Sequence, residues 1–149
     1  MMAIWPLSSR VCGIDPCRRD RTQYAGAHAS QLCDACFSTH LLSYWTREKG
    51  VLTLEQAVHR LTGHAAGVFR LEGRGLLTPG AHADVVAFDP DTVGVTELER
   101  VFDLPSGADR LVAHSTGIEH VWVNGVQTRA DGKNVDNAYP GTVIREIGA

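Results

Sequence analysis

Over residues 31–49 the apolar positions Leu32, Ala35, Cys36, Leu41, Leu42 and Trp45 recur at spacings of three and four, which places them on one face of a helix. Arg47 and Lys49 fall in the last turn, where cations meet the carbonyl end of the helix dipole, and Gly50 follows as a stop. A second helix is predicted from Thr53. The run Thr-Leu-Glu-Gln puts a hydroxyl at the cap and Gln56 three residues on, so each can satisfy a backbone donor of the other. Leu54, Ala57, Val58 and Leu61 form its apolar stripe, and the helix should end near Gly63. Residues 64–71 add one more turn or two before Glu72-Gly73.

At Gly73 the pattern changes from a helical period to short β-branched runs punctuated by Gly and Pro. Strands are predicted over residues 83–88, 111–113, 118–123 and 126–129. Asn124-Gly125 is the strongest local signal, because a two-residue type I′ hairpin needs positive φ at both central positions. Asp131-Gly132 offers a further turn, and Pro140-Gly141 precedes a last strand predicted over residues 142–145. Residues 1–23 carry no period, and their one feature is the charged block Arg18-Arg19-Asp20-Arg21. The chain therefore divides into a disordered leader (1–23), a helical stretch (24–71) and a β-rich stretch (72–149), an α+β organisation.

Composition narrows the classes. The 149 residues hold 14 Lys plus Arg against 17 Asp plus Glu, a formal charge of −3, with 44% hydrophobic and 21% charged residues. That is ordinary composition for one globular domain and excludes wholesale disorder. A pI near 6.1 without a basic block argues against a nucleic-acid partner. No apolar run approaches the roughly 20 residues needed to cross a bilayer. The opening MMAIWPLSSR lacks a basic residue ahead of its short apolar stretch and has Pro6 inside it, unlike a secretory signal, so a cytoplasmic location is expected. Cys12, Cys17, Cys33 and Cys36 all lie early in the chain and do not staple it, so they read as thiols.

Candidate chemistry is sparse. Two close thiol pairs are capable of a tetrahedral zinc site, but Cys33 and Cys36 fall on the first predicted helix beside Leu32 and Leu41, where core packing is the simpler expectation. Of seven histidines, none forms His-x-His, and His59 and His64 stand five apart, off a single α-helical face. His28, in the flexible Ala25-Gly26-Ala27-His28 turn, is the one placed where ligand contacts concentrate. There is no Gly-x-Ser-x-Gly elbow, and Gly73-Arg74-Gly75 reads as a turn rather than a phosphate loop. Asp84 and Asp89, flanking a predicted strand, and the pair Glu97 and Glu99 are expected to be solvated.

Several segments together resemble the amidohydrolase superfamily, and within it the D-aminoacylase branch of N-acyl-D-amino-acid deacylases. They are Ala25-Gly26-Ala27-His28, the run QLCDACFSTHLLSYWTREKG, the run LEQAVHRLTGHAAGVF, and the stretch from Arg74 through Gly80-Ala81-His82-Ala83-Asp84 to Asp89. The resemblance covers about residues 24–145 and implies a metal-dependent TIM-type barrel flanked by a small β-sandwich. On that basis residues 24–71 correspond to the last barrel unit with its helices, and residues 72–149 to the C-terminal strands of the sandwich. The family's zinc ligands sit on earlier barrel strands, so no metal ligand and no cofactor is assigned to this chain. The family's Ser-Asp-x-Gly-x-His reads here Gln23-Tyr24-Ala25-Gly26-Ala27-His28, which puts Tyr24 at the position of the catalytic aspartate and His28 near the substrate. A phenol with a pKa of about 10 does not serve as a general base near neutrality. The implied function is that of a C-terminal fragment of a zinc-dependent hydrolase of linear amides, inert alone, arising from a truncated or frame-shifted reading or completed by a separate barrel chain. The parent substrate would be a small N-acyl amino acid. A β-rich binding or scaffolding module, prone to self-association through open edges and bare apolar stripes, is the alternative.

Overall fold

A computed structural model of the chain describes residues 2, 3, 30, 31, 33 and 35–145. The first helix begins later than its apolar period suggests. Helix α1 (Phe37–His40) runs without interruption into a more loosely wound π-helical stretch, Leu41–Glu48. Cys36, at the N-cap, has ψ of 6° and provides no side-chain cap. Its carbonyl accepts the first helical bond from His40 N at 3.0 Å and a second from Thr39 Oγ1 at 3.1 Å. Cys33 and Cys36 thus precede the helix instead of lying on it, and both are half-buried, which corrects the expectation of core-facing thiols. The loose winding coincides with hydroxyls that bond back to the backbone: Ser43 Oγ donates to Thr39 O at 2.9 Å and Thr46 Oγ1 to Leu41 O at 2.9 Å.

The second helix starts where Thr53 predicts. Gln56 N donates to Thr53 Oγ1 at 3.2 Å, and Thr53 N donates to Gln56 Oε1 at 3.0 Å. Helix α2 (Leu54–His59) then passes through a second π-helical stretch, Arg60–His64, into α3 (Ala65–Val68). Gly63 therefore does not end the helix. It lies where the Gly75-Leu76 segment crosses, and a Cβ there would stand 3.1 Å from Leu76 Cδ2, so the missing side chain admits a neighbour.

The β-rich stretch is built on an antiparallel five-stranded sheet in the order β1-β2-β7-β8-β9, with β1 (Met2–Ala3), β2 (Val85–Phe88), β7 (Ile118–Val123), β8 (Val126–Ala130) and β9 (Lys133–Asn134). Val85, Val86 and Phe88 are all buried, as suits a strand paired on both edges and covered on its faces. Strand β2 pairs with β7 in the register Val85↔Trp122 and Val86↔Val121, with a bulge between Ala87 and Phe88. The β7–β8 hairpin closes through Asn124 at φ 48° and Gly125 at φ 81°, the left-handed pair that the turn demands. Two small pairs complete the fold, β3 (Gly94–Val95) with β6 (Ser115–Thr116) and β4 (Glu99–Val101) with β5 (Arg110–Val112). Residues 142–145, predicted as a strand, are exposed and find no partner strand among the described residues. Without a ladder to accept their backbone groups, the alternation of side chains alone does not make them one.

Helices and sheet share one core. Leu42 from the first helix and Ala57 from the second pack with Val86 and Phe88 of β2 and with Val93. Leu54, Leu61, Ile118 and Val121 close around them. Arg47, expected only to complement a helix dipole, also ties the layers: its Nη1 donates to Pro90 O at 3.0 Å and to Val93 O at 2.8 Å.

At one point in this core the backbone leaves no room for a side chain. Gly117 has φ 67°, and a Cβ there would lie 2.4 Å from Val93 N and 2.6 Å from Thr92 C. Gly117→Ala is expected to destabilise the fold by about 2 kcal/mol or more, combining left-handed strain with a backbone clash. Equilibrium urea unfolding checks it.

Candidate functional site

The most densely bonded polar cluster in the described residues lies where the helical stretch hands over to the sheet. Asp84, 1% exposed, sits immediately before β2, and Arg74 reaches it from the loop after α3 to form an ion pair. The other carboxylate oxygen, Oδ1, accepts Asn124 N at 2.9 Å from the β7–β8 turn. Arg74 Nη2 donates to Asn124 Oδ1 at 3.0 Å, so that Asp84, Arg74 and Asn124 are each bonded to the other two, Asn124 through its side chain to Arg74 and through its backbone amide to Asp84. Asn124 Nδ2 then donates to Pro140 O at 2.8 Å, and Gly125 N to Ala83 O at 2.9 Å. The loop itself is closed by His82 N donating to Gly73 O at 2.9 Å.

This placement corrects the expectation that Asp84 is solvated. An ionised carboxylate inside an apolar run requires a cation and hydrogen-bond donors to compensate its lost hydration, and Arg74 with Asn124 provides both. The signal was present in the sequence: an Asp among Ala83, Val85, Val86 and Phe88 needs a partner, and Arg74 is a cation nearby. Chemically, each oxygen of Asp84 is committed to a fixed donor, so the cluster holds three segments together rather than moving protons.

Asp89, at the other end of β2, is half-buried and turns the chain. Its Oδ1 accepts Asp91 N at 2.9 Å and its Oδ2 accepts Thr92 Oγ1 at 2.9 Å. The Asp91 amide first, and then the Thr92 hydroxyl, hold the Asp89 carboxyl below its usual 3.8. Glu99 lies on β4 and, like Glu97, is exposed as expected.

The histidines separate into different environments. His40 stacks on Tyr44 with ring centres 5.0 Å apart, and Lys49 Nζ lies 5.1 Å from the same Tyr44 ring. His120 Nδ1 is 3.1 Å from Gln127 Nε2, with Trp122 packed beside it. His59 and His64, expected on different faces, stand with ring centres 6.0 Å apart. The expectation assumed α-helical winding, whereas the looser turn of Arg60–His64 brings residues five apart together. Tyr24 and His28, and with them Cys12 and Cys17, lie outside the described residues. Cys36 Sγ donates to Cys33 O at 3.5 Å. Among the described residues no group of three or more His, Cys, Asp or Glu side chains converges as a metal site.

Comparison with known proteins adds what this geometry leaves open. Residues 11–129 match the amidohydrolase family. N-acyl-D-aspartate deacylase of Alcaligenes xylosoxydans xylosoxydans is 42% identical over 106 residues, which is 71% of this chain and 19% of that enzyme. N-acyl-D-glutamate deacylase of the same organism is 48% identical over 88 residues, 58% of this chain and 16% of that enzyme. Among solved structures, the D-aminoacylase that defines a novel subset of amidohydrolases superposes with a TM-score of 0.52 at 32% identity, over 67% of this chain and 19% of its own. D-aminoacylase has a binuclear metal centre. The chain thus spans a fifth or less of the length of each of these relatives.

Two outcomes follow from the polar clusters. Asp84→Ala leaves the half-buried Arg74 without its counter-ion and is expected to cost about 3–5 kcal/mol, whereas Arg74→Met combined with Asp84→Leu recovers most of the loss. Urea midpoints of the three variants check this. Because the Asp89 carboxyl is held below 3.8, the stability it contributes is present above that pH and lost as pH falls through its lower native value. Asp89→Asn should flatten this acid limb in an acid titration followed by circular dichroism.

Proposed function

This chain belongs to the amidohydrolase family, D-aminoacylase branch, and from that premise we propose that it is a C-terminal portion of an N-acyl-D-amino-acid deacylase, inert alone. The observation that carries the reading is the identity to two deacylases of acidic N-acyl-D-amino acids across so small a fraction of their length. The reaction of the complete enzyme is hydrolysis of a linear amide C–N bond, with a small N-acyl amino acid as substrate. In a TIM-type barrel the catalytic groups come from the ends of several different strands, so one terminal unit does not assemble a site by itself. Residues 24–71 are assigned to the last barrel unit, residues 72–149 to the sandwich strands, and residues 1–23 to a leader whose Met2–Ala3 adds a strand beside β2.

In this reading Tyr24 occupies the catalytic aspartate's position and His28 approaches the substrate, while zinc is held by parts of the enzyme that other residues supply. A bound metal of this kind supplies an activated water. The residues of this chain contribute a wall: the Arg74–Asp84–Asn124 cluster anchors the sheet against which the helices rest. Exposed apolar side chains along the β4–β5 region, Leu98, Phe102 at 69% and Leu104, favour association with a complementing barrel chain or with a second copy. No helix among the described residues is long and apolar enough to cross a membrane, and a cytoplasmic location is proposed with the same reading.

The test is a deacylation assay on the purified chain with N-acetyl-D-aspartate and N-acetyl-D-glutamate, with and without added zinc. No release above the uncatalysed background is expected. Tyr24→Asp is expected to leave that result unchanged, because a restored base typically contributes about 10²–10⁴-fold only where an activated nucleophile is present. Zinc-dependent turnover by either protein overturns the proposal.

A further inference from the structure

We propose that His59 and His64, both exposed on the second helical segment, form a two-imidazole clamp for a divalent late transition-metal ion. In an α-helix, ligand pairs on one face are spaced three or four apart. Here the π-helical stretch Arg60–His64 places residues five apart side by side, and the two rings stand 6.0 Å apart, tilted by 52°. With metal–nitrogen bonds of about 2.0–2.1 Å, two imidazoles sharing one cation have ring centres roughly 4.5–6.5 Å apart, a range that includes the observed separation. Both side chains are exposed, so the cation reaches them from solvent and their rotamers adjust on the nanosecond scale.

The surroundings favour this use. Gly63 lies between the two, and with no Cβ of its own, which would stand 3.5 Å from the His59 ring, it does not crowd that ring. Glu55, one turn before His59, is engaged by its own backbone amide and by Thr53 at the helix start, so the clamp has two protein donors and water completes the coordination. Neutral imidazole suits copper, nickel and zinc, and selectivity among them follows the order of intrinsic affinity when the protein imposes no cage. The clamp is independent of the deacylase reading and stands or falls without it.

Isothermal titration of the purified full chain with NiCl2 tests it, since nickel favours imidazole and is redox-silent toward the thiols. One Ni²⁺ per chain is expected on this pair. His59→Ala and His64→Ala should each weaken that binding about tenfold or more, and both should fold, being exposed substitutions. His82→Ala, an exposed histidine on the loop before β2, should leave it unchanged. Equal affinity in the wild type and the His59→Ala/His64→Ala double variant, or no uptake of Ni²⁺ by the wild type, overturns the proposal.

Discussion

One buried carboxylate organises this molecule. Asp84 stands at the entry to β2, and its two oxygens face a cation from before the strand and a backbone amide from a turn forty residues later. A charge in that position is costly unless every partner is in place, so the ion pair, the Asn124 amide and the Pro140 carbonyl stand or fall as a set. That requirement fixes the loop after α3, the start of the central strand and the hairpin turn relative to one another. The hairpin turn accordingly has two roles. Asn124 tolerates the left-handed backbone that the reversal needs, and its side chain bridges Arg74 and Pro140.

The helices are attached to this frame by apolar contact and by one long cation. Leu42 and Ala57 lie against Val86, Phe88 and Val93, and Arg47 caps the carbonyls of Pro90 and Val93 where the chain turns away from β2. Asp89 stiffens that same turn through two bonds of its own. The packing leaves Gly117 no space for a side chain, because its backbone runs directly against Thr92 and Val93. Both helical segments relax from α to π winding, and this changes which side chains meet on their surfaces.

In this chain of the amidohydrolase family, D-aminoacylase branch, the described polar cluster is occupied in holding segments together. The motif through Arg74 and Asp84, which carries much of the family resemblance, resolves into a structural knot whose donors and acceptors are matched internally. A resemblance can thus be specific to a family while its residues hold a scaffold, because burying a charge restricts residue choice as strictly as catalysis does. The positions that the resemblance connects to chemistry, Tyr24 and His28, are separate from that knot in the chain.

What was legible in the amino-acid sequence was local. The Thr53–Gln56 capping box, the Asn124-Gly125 reversal and the β2 and β7 runs each depend on residues within a few positions of one another, and their backbone preferences act before any tertiary contact forms. The family was legible too, since it is carried by residue identities. The tertiary structure alone decided what depends on distant partners. It placed Asp84 inside rather than at the surface, gave residues 142–145 no pairing strand among the described residues, and started the first helix at Phe37. It also set His59 beside His64, since helical winding is chosen by side-chain bonds and packing as well as by periodicity. Burial and pairing are properties of two segments at once, and a pattern read along one segment does not contain the other.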